Sequence, residues 1–273
     1  MWNLIKMEFY RLFTSKIMKI AILVACLVCA GYIFAIFGLF WLVDFARETD
    51  PEVAAQLYGL LPMVAWIEGV NFAEIVFGAS GVFALFVGCI VTSNFIGSEQ
   101  ACGYTKNFAG QIPDKGYIAV SKFVVTSLSQ ILILVIYTAV SSLLAVTVLG
   151  KYINGYDWGI LFAALGLRLL LHLAINSIII FVCTLTKSHA ISMVFGCVFG
   201  LGLMTIVYSI IQMIFGAMKV KFPIGDYLPD GINNQLALGN VEDLVIKAVV
   251  VSLVCMAIFV VSNYILIRKR DVR

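Results

Sequence analysis

Charge is scarce in this sequence. Asp, Glu, Lys and Arg make up 12% of its 273 residues, while 62% are hydrophobic; soluble domains carry about 25% charged residues. A chain this apolar cannot cover its surface with polar groups, so the bilayer is its expected solvent. Beside the apolar runs there is no room for a separate soluble enzyme of ordinary size. Histidine occurs only twice. There is no H-E-x-x-H, no G-x-S-x-G and no His/Asp/Cys constellation in a polar segment, so no catalytic or metal-binding residue is expected.

A disulfide framework is also missing. Cys26, Cys29, Cys89, Cys183, Cys197 and Cys255 fall in apolar runs and read as small hydrophobes; only Cys102 lies in a polar segment. Cys26-Leu27-Val28-Cys29 has the C-x-x-C form but no second pair or flanking His. The Leu23-Val24-Ala25-Cys26 stretch imitates a lipoprotein signal, yet the apolar run continues to Val43 and reads as an uncleaved first span. Two further absences concern transport: no internal repeat is visible, and the acid nearest to a membrane interior, Glu74, sits near an outer edge.

What is present is a series of long apolar runs. A spanning helix needs about 20 mostly apolar residues, and six runs qualify: 20–43, 75–97, 121–149, 158–186, 190–217 and 244–267. Lys and Arg set their orientation. Lys6, Arg11, Lys16, Lys19, Lys106, Lys115, Lys122, Lys187, Arg268, Lys269, Arg270 and Arg273 fall on one side, twelve of eighteen basic residues. The other side has Arg47, Lys151, Lys219 and Lys221. Positive residues mark the cytoplasm, which places both termini and the polar segment after the second span there. The acids Asp44, Glu48, Asp50, Glu52 and Glu68 belong to the first outer loop.

Residues 1–19 form a helix of another kind. Trp2, Ile5, Phe9, Leu12, Phe13 and Ile17 share one face, with Asn3, Glu8, Arg11, Thr14 and Ser15 opposite. This pattern predicts an amphipathic helix lying in the membrane interface. The remainder, 20–273, is one six-span domain. In its outer loop 218–240, Pro223, Gly225, Pro229 and Gly231 alternate with apolar residues, which predicts a structured segment dipping back toward the membrane.

Polar residues inside spans are candidate path-lining groups. Arg168, His172 and Asn176 recur at helical spacing on one face of the fourth span. They either line a substrate path or act as packing glue, with Arg168 paired to an acid such as Glu74. Gln130 in the third span, and Tyr208 with Gln212 in the fifth, are further candidates. Gly196 and Gly200 form a G-x-x-x-G that permits close helix approach, within the chain or between two chains.

The stretch "GSEQACGYTKNFAGQIPDKGY", residues 97–117, first suggests a phosphate loop. The Walker spacing is absent: five residues separate Gly97 from Gly103, and Thr105-Lys106 is in the wrong order. The segment reads instead as the foot of a helical hairpin. The second span continues to about Cys102, Gly103 ends it, a short helix covers Thr105 to Gln111, Pro113 stops that helix, and Asp114 caps the next.

On these residues the chain resembles the ABC-2 type permease family, the membrane subunits of bacterial ABC exporters. The resemblance rests on Ile96-Gly97-Ser98-Glu99, Gly103-Tyr104-Thr105-Lys106-Asn107, then Pro113, Tyr117 and Ser121-Lys122, and on the basic ending Arg268-Lys269-Arg270-Asp271. It covers the whole chain, and its form is similar to permeases of lantibiotic and bacitracin immunity systems. The resemblance implies an all-α exporter fold with six transmembrane helices. It also implies a second permease subunit, identical or homologous, and two cytoplasmic ATPase subunits that bind ATP and Mg; the chain itself would hold no cofactor, would not be an enzyme and would not meet nucleic acid. By the same carry-over the loop 98–120 is the coupling loop. Glu99, Gly103, Tyr104, Thr105, Lys106, Asn107, Phe108 and Gln111 would face the ATPase, residues 1–19 would be the connecting helix, and 218–240 the outer re-entrant segment. Gln100-Ala101-Cys102 departs from the family's pattern. The expected function is export of an amphipathic or hydrophobic substrate such as an antimicrobial peptide across the bacterial cytoplasmic membrane. Alternatives are lipid, drug or sodium export, or a membrane assembly or sensor subunit that transports nothing.

Overall fold

The computed structural model describes residues 2–49, 72–103, 112, 114–153, 155–217, 224–236 and 241–269, with the side chains of 79, 80, 217 and 241–243 outside the description. Among the described residues every regular element is a helix: α1 (Trp2–Thr14), α2 (Lys16–Thr49), α3 (Phe72–Cys102), α4 (Gly116–Leu149), α5 (Trp158–Thr186), α6 (His189–Gly200), α7 (Met204–Ala217), a short 3-10 turn (Ile224–Tyr227), α8 (Pro229–Leu236) and α9 (Val241–Lys269). Five of them, α2, α3, α4, α5 and α9, are long and apolar enough to cross a membrane.

The fifth expected span, 190–217, is not one continuous helix. It breaks after Gly200 into α6 and α7, which meet at 74°. Leu201 and Leu203 donate their N–H groups back to Cys197 and Val198, and Gly202 takes a φ of +68° that side chains disfavour. At 1.5 Å per residue neither half spans about 30 Å of hydrocarbon alone. The pair counts as one bent crossing or none.

Local chemistry sets the other turns. Asp157 caps α5, accepting from the N–H groups of Gly159 and Ile160. Lys187, at φ 54°, closes α5 by donating to the Cys183 carbonyl, and Ser188 caps α6 by accepting from Ile191. This tight turn returns α6 antiparallel onto α3. Here the G-x-x-x-G acts within the chain: a Cβ on Gly196 would stand 2.7 Å from the Ser93 hydroxyl, and one on Gly200 only 2.5 Å from the Phe86 Cα. Small residues let the two backbones touch.

Side-chain ties fix which ends lie together. Arg11 of α1 meets Glu99 near the end of α3, and Lys122 near the start of α4 meets the same carboxylate. Asp114 accepts from Gly116 N–H and from the Tyr264 hydroxyl, with Arg268 3.9 Å away. The start of the chain, the α3–α4 connection and the end of α9 therefore share one end of the bundle. At the opposite end Tyr152 donates to Asp44, and Phe72 packs edge-on against Tyr156 and Trp158.

Between α7 and α9, the 3-10 turn and α8 fold into the bundle. Ile232 and Leu236 are buried against Leu167 and Leu171 of α5 and Leu244 and Ala248 of α9. Residues 218–223 and 237–240 of the segment expected to be outer lie outside the described residues.

Candidate functional site: a charged clasp and a buried polar column

Two clusters of polar residues interrupt the apolar packing. The first is a clasp at the end of the bundle shared by α1, α3 and α4. Glu99 is 3% exposed. Its Oε2 lies 2.7 Å from Arg11 Nη2, and its Oε1 2.8 Å from Lys122 Nζ. Arg11 also reaches Glu8 at 2.9 Å and lies over the Phe95 ring at 4.1 Å. Two acids and two bases are thus drawn together, with the carboxylate of Glu99 at the centre. A cavity of about 250 Å³ opens beside them, lined by Leu12, Ser15, Val91 and Phe95 among others.

The clasp revises the expected face of α1. The helical wheel puts Glu8 and Arg11 toward solvent, but Glu8 is fully buried, together with Leu12, while Trp2 and Tyr10 are exposed. The ion pairs of Arg11 with Glu8 and with Glu99 turn this polar face into the bundle. Burial, helped by nearby Glu99 and opposed by Arg11 and Lys122, pushes the Glu8 carboxyl up to about 7. Glu99 itself is directed at its own chain's bases. Gln100 also turns inward, donating to the Cys183 carbonyl, whereas Cys102 is exposed. Helix α3 ends at Cys102, and Gly103 follows at φ 64°. Tyr104, Thr105, Lys106, Asn107, Phe108 and Gln111 lie outside the described residues.

The second cluster is a column in the bundle interior, where α4 and α5 face α3. At its lower end Asn176 is fully engaged. Thr92 donates to its Oδ1 at 2.8 Å, and its Nδ2 donates to Thr126 at 3.0 Å and Ser127 at 3.4 Å. One amide thereby binds three helices. Higher up, Gln130 stands against Gly88 and Arg168 against Gly81; a Cβ on either glycine would collide with that side chain. Gly81, Gly88 and Thr92 share one face of α3, seven and four residues apart. Arg168, His172, Asn176 and Gln130 are all at most 1% exposed.

The upper column differs from the lower. Arg168 Nε, Nη1 and Nη2, both His172 nitrogens and both Gln130 amide atoms have no hydrogen-bond partner among the described residues. Arg168 lies over the Phe77 ring, 4.8 Å from its centre. The pairing with Glu74 is not formed. Of the other candidates, Tyr208 is buried but belongs to the bent α7, and Gln212 on the same helix is exposed; neither joins the column.

A further buried acid was not legible in the sequence. Asp230 and Asn233 of α8 are each 1% exposed, and neither side chain has a hydrogen-bond partner among the described residues. Burial alone raises Asp230 to about 7. It lies within electrostatic range of Cys89, near the middle of α3, and of Tyr208. The sequence predicts a structured segment dipping back toward the membrane, but nothing in it marks Asp230 and Asn233 as the buried face of α8.

Among the described residues no group of His, Cys, Asp and Glu could hold a metal ion. In comparisons with known proteins, no family model matches the chain and no curated protein matches it.

Proposed function

We propose that this chain is the transmembrane permease subunit of an ATP-driven exporter of the ABC-2 type. Two permease chains pair in the bacterial cytoplasmic membrane above two ATPase subunits, and the ends of the bundle that carry the clasp face the cytoplasm. The cargo is amphipathic or hydrophobic, such as an antimicrobial peptide. ATP and Mg are bound by the ATPase; this chain supplies the path and the linkage.

The observation that carries the reading is the clasp. A loop pushed by an ATPase moves the membrane helices only if it is tied to them. Glu99 lies at the root of the α3–α4 connection and joins α1, α3 and α4 through Arg11 and Lys122. Displacement of the foot is therefore transmitted to three helices at once. The resemblance of residues 96–107 to the family's coupling segment supports the same assignment.

The test is co-purification. The chain, tagged and extracted in mild detergent, should recover a nucleotide-binding ATPase, and recovery of none sinks the reading. In the recovered complex, Lys106→Ala should lower substrate-stimulated ATP hydrolysis while membrane insertion is unchanged.

A further inference from the structure

Helix α3 is broken. Gly78 has φ −44° and ψ −129°, well outside helical values, so a new helical segment begins just below it. The first N–H groups of any helix lack i−4 partners, and they gather a partial positive charge. Gly81 lies in this first turn, and the Arg168 guanidinium occupies the place its Cβ would take. A full positive charge and the positive end of a helix therefore converge inside the bundle.

Nothing described there balances them. Arg168 is 0% exposed and its three guanidinium nitrogens lack partners among the described residues. Tyr137 and His172 lie within its electrostatic range, and neither is an anion at neutral pH. The Phe77 ring offers a cation–π contact but no anionic charge. An uncompensated charge buried in protein costs several kcal/mol, and intramembrane ionisable residues are kept for function. Helix starts aimed into the membrane interior are used to receive anionic groups.

We infer that Arg168 and the helix start below Gly78 form an anion-receiving site, which takes the carboxylate or phosphate headgroup of an amphiphile. The guanidinium offers a planar fork that matches either group. The unpartnered His172 and Gln130 continue the polar face below it. That this amphiphile is the exported cargo rests on the exporter reading; the binding itself does not.

The test uses the purified full chain in a neutral maltoside detergent and four probes with the same tail: laurate, dodecyl phosphate, dodecylphosphocholine and dodecyltrimethylammonium. Thermal unfolding and calorimetric titration are read for each. Laurate or dodecyl phosphate should raise Tm and bind; the zwitterionic and cationic probes should not, and the tighter anion names the headgroup. Arg168→Gln should weaken anion binding by about tenfold or more, the worth of a lost charge-assisted pair. Without ligand it should be as stable as the wild type or more so, because an unpaired charge is gone. Gly81→Ala, whose Cβ displaces the guanidinium, should also weaken the anion, and it carries the test if Arg168→Gln does not fold. Equal binding of all four probes, or unchanged anion affinity in these variants, overturns the site. Since binding is measured without an ATPase, failure here leaves the co-purification result standing, and the reverse holds too.

Discussion

Arg11 and Glu99 are eighty-eight residues apart in sequence, yet Arg11 Nη2 lies 2.7 Å from Glu99 Oε2. The bond joins the first helix of the chain to the end of α3, and Lys122 completes it from α4. Because Glu99 is buried, the cost of breaking the clasp is dominated by the charges left behind.

Glu99→Gln should therefore destabilise the chain by about 3 kcal/mol, the lower range for removing one partner of a buried ion pair. The variant leaves Lys122, 5% exposed at its side chain, without its carboxylate. Thermal unfolding in detergent reads the loss, and limited proteolysis should show α1 released before the rest. Adding Lys122→Gln, which removes a charge left stranded by Glu99→Gln, should recover part of it. An unchanged Tm in Glu99→Gln would show that the clasp is not held in the membrane-extracted protein.

Glu8 makes stability depend on pH. Its carboxyl lies at about 7 in the folded chain against 4.5 ordinarily. Below 4.5 both folded and unfolded forms hold the proton, and the group contributes nothing. From 4.5 through 7 the folded form holds the proton more firmly than the unfolded, so stability falls as pH rises; about one unit above 7 the loss is complete. Asp230, raised to about 7 by burial, acts in the same direction. Tm should thus decline between about pH 5 and pH 8. Glu8→Gln should flatten part of the slope and raise Tm at the alkaline end, and adding Asp230→Asn should remove more. A slope identical in all three proteins would count against these burial assignments.

Long apolar runs were legible in the sequence because each is sufficient by itself: twenty apolar residues need no knowledge of their neighbours. The runs at 20–43, 121–149, 158–186 and 244–267 each lie within a helix of the fold, and 75–97 lies within α3, across its break at Gly78. What escaped depends on partners. Residues 190–217 satisfy the length rule as a unit, but Gly200-Leu201-Gly202 supplies a positive-φ stop that hydropathy ignores. Glu8 fell on the polar face of its own helix, and its burial beside Glu99 and Lys122 depends on how α1 packs against α3 and α4. The Arg168, His172 and Asn176 stripe was visible, but its two characters were not: Asn176 finds three hydroxyl partners, while Arg168 and His172 find none among the described residues.

Sidedness can be read from a single thiol. Cys102 is exposed beside the clasp, whereas the other cysteines are buried or half-buried. A membrane-impermeant maleimide should label the chain in inverted vesicles and not in intact cells, and Cys102→Ser should abolish that labelling. Labelling from outside intact cells would invert the orientation drawn from the basic residues.

The two glycines of the G-x-x-x-G should not be equivalent. A Cβ at Gly196 would meet the Ser93 hydroxyl at 2.7 Å, and that side chain can rotate away, although it then gives up its bond to the Ser192 carbonyl. A Cβ at Gly200 would meet the Phe86 Cα at 2.5 Å, and backbone cannot step aside without moving α3. Overpacking that forces backbone shifts costs about 1–3 kcal/mol. Gly200→Ala should therefore lie in that range, with Gly196→Ala milder, both measured as loss of thermal stability in detergent. If Gly200→Ala were neutral while the wild-type chain formed a dimer that the variant did not, the glycine face would serve a contact between chains rather than the α3–α6 packing.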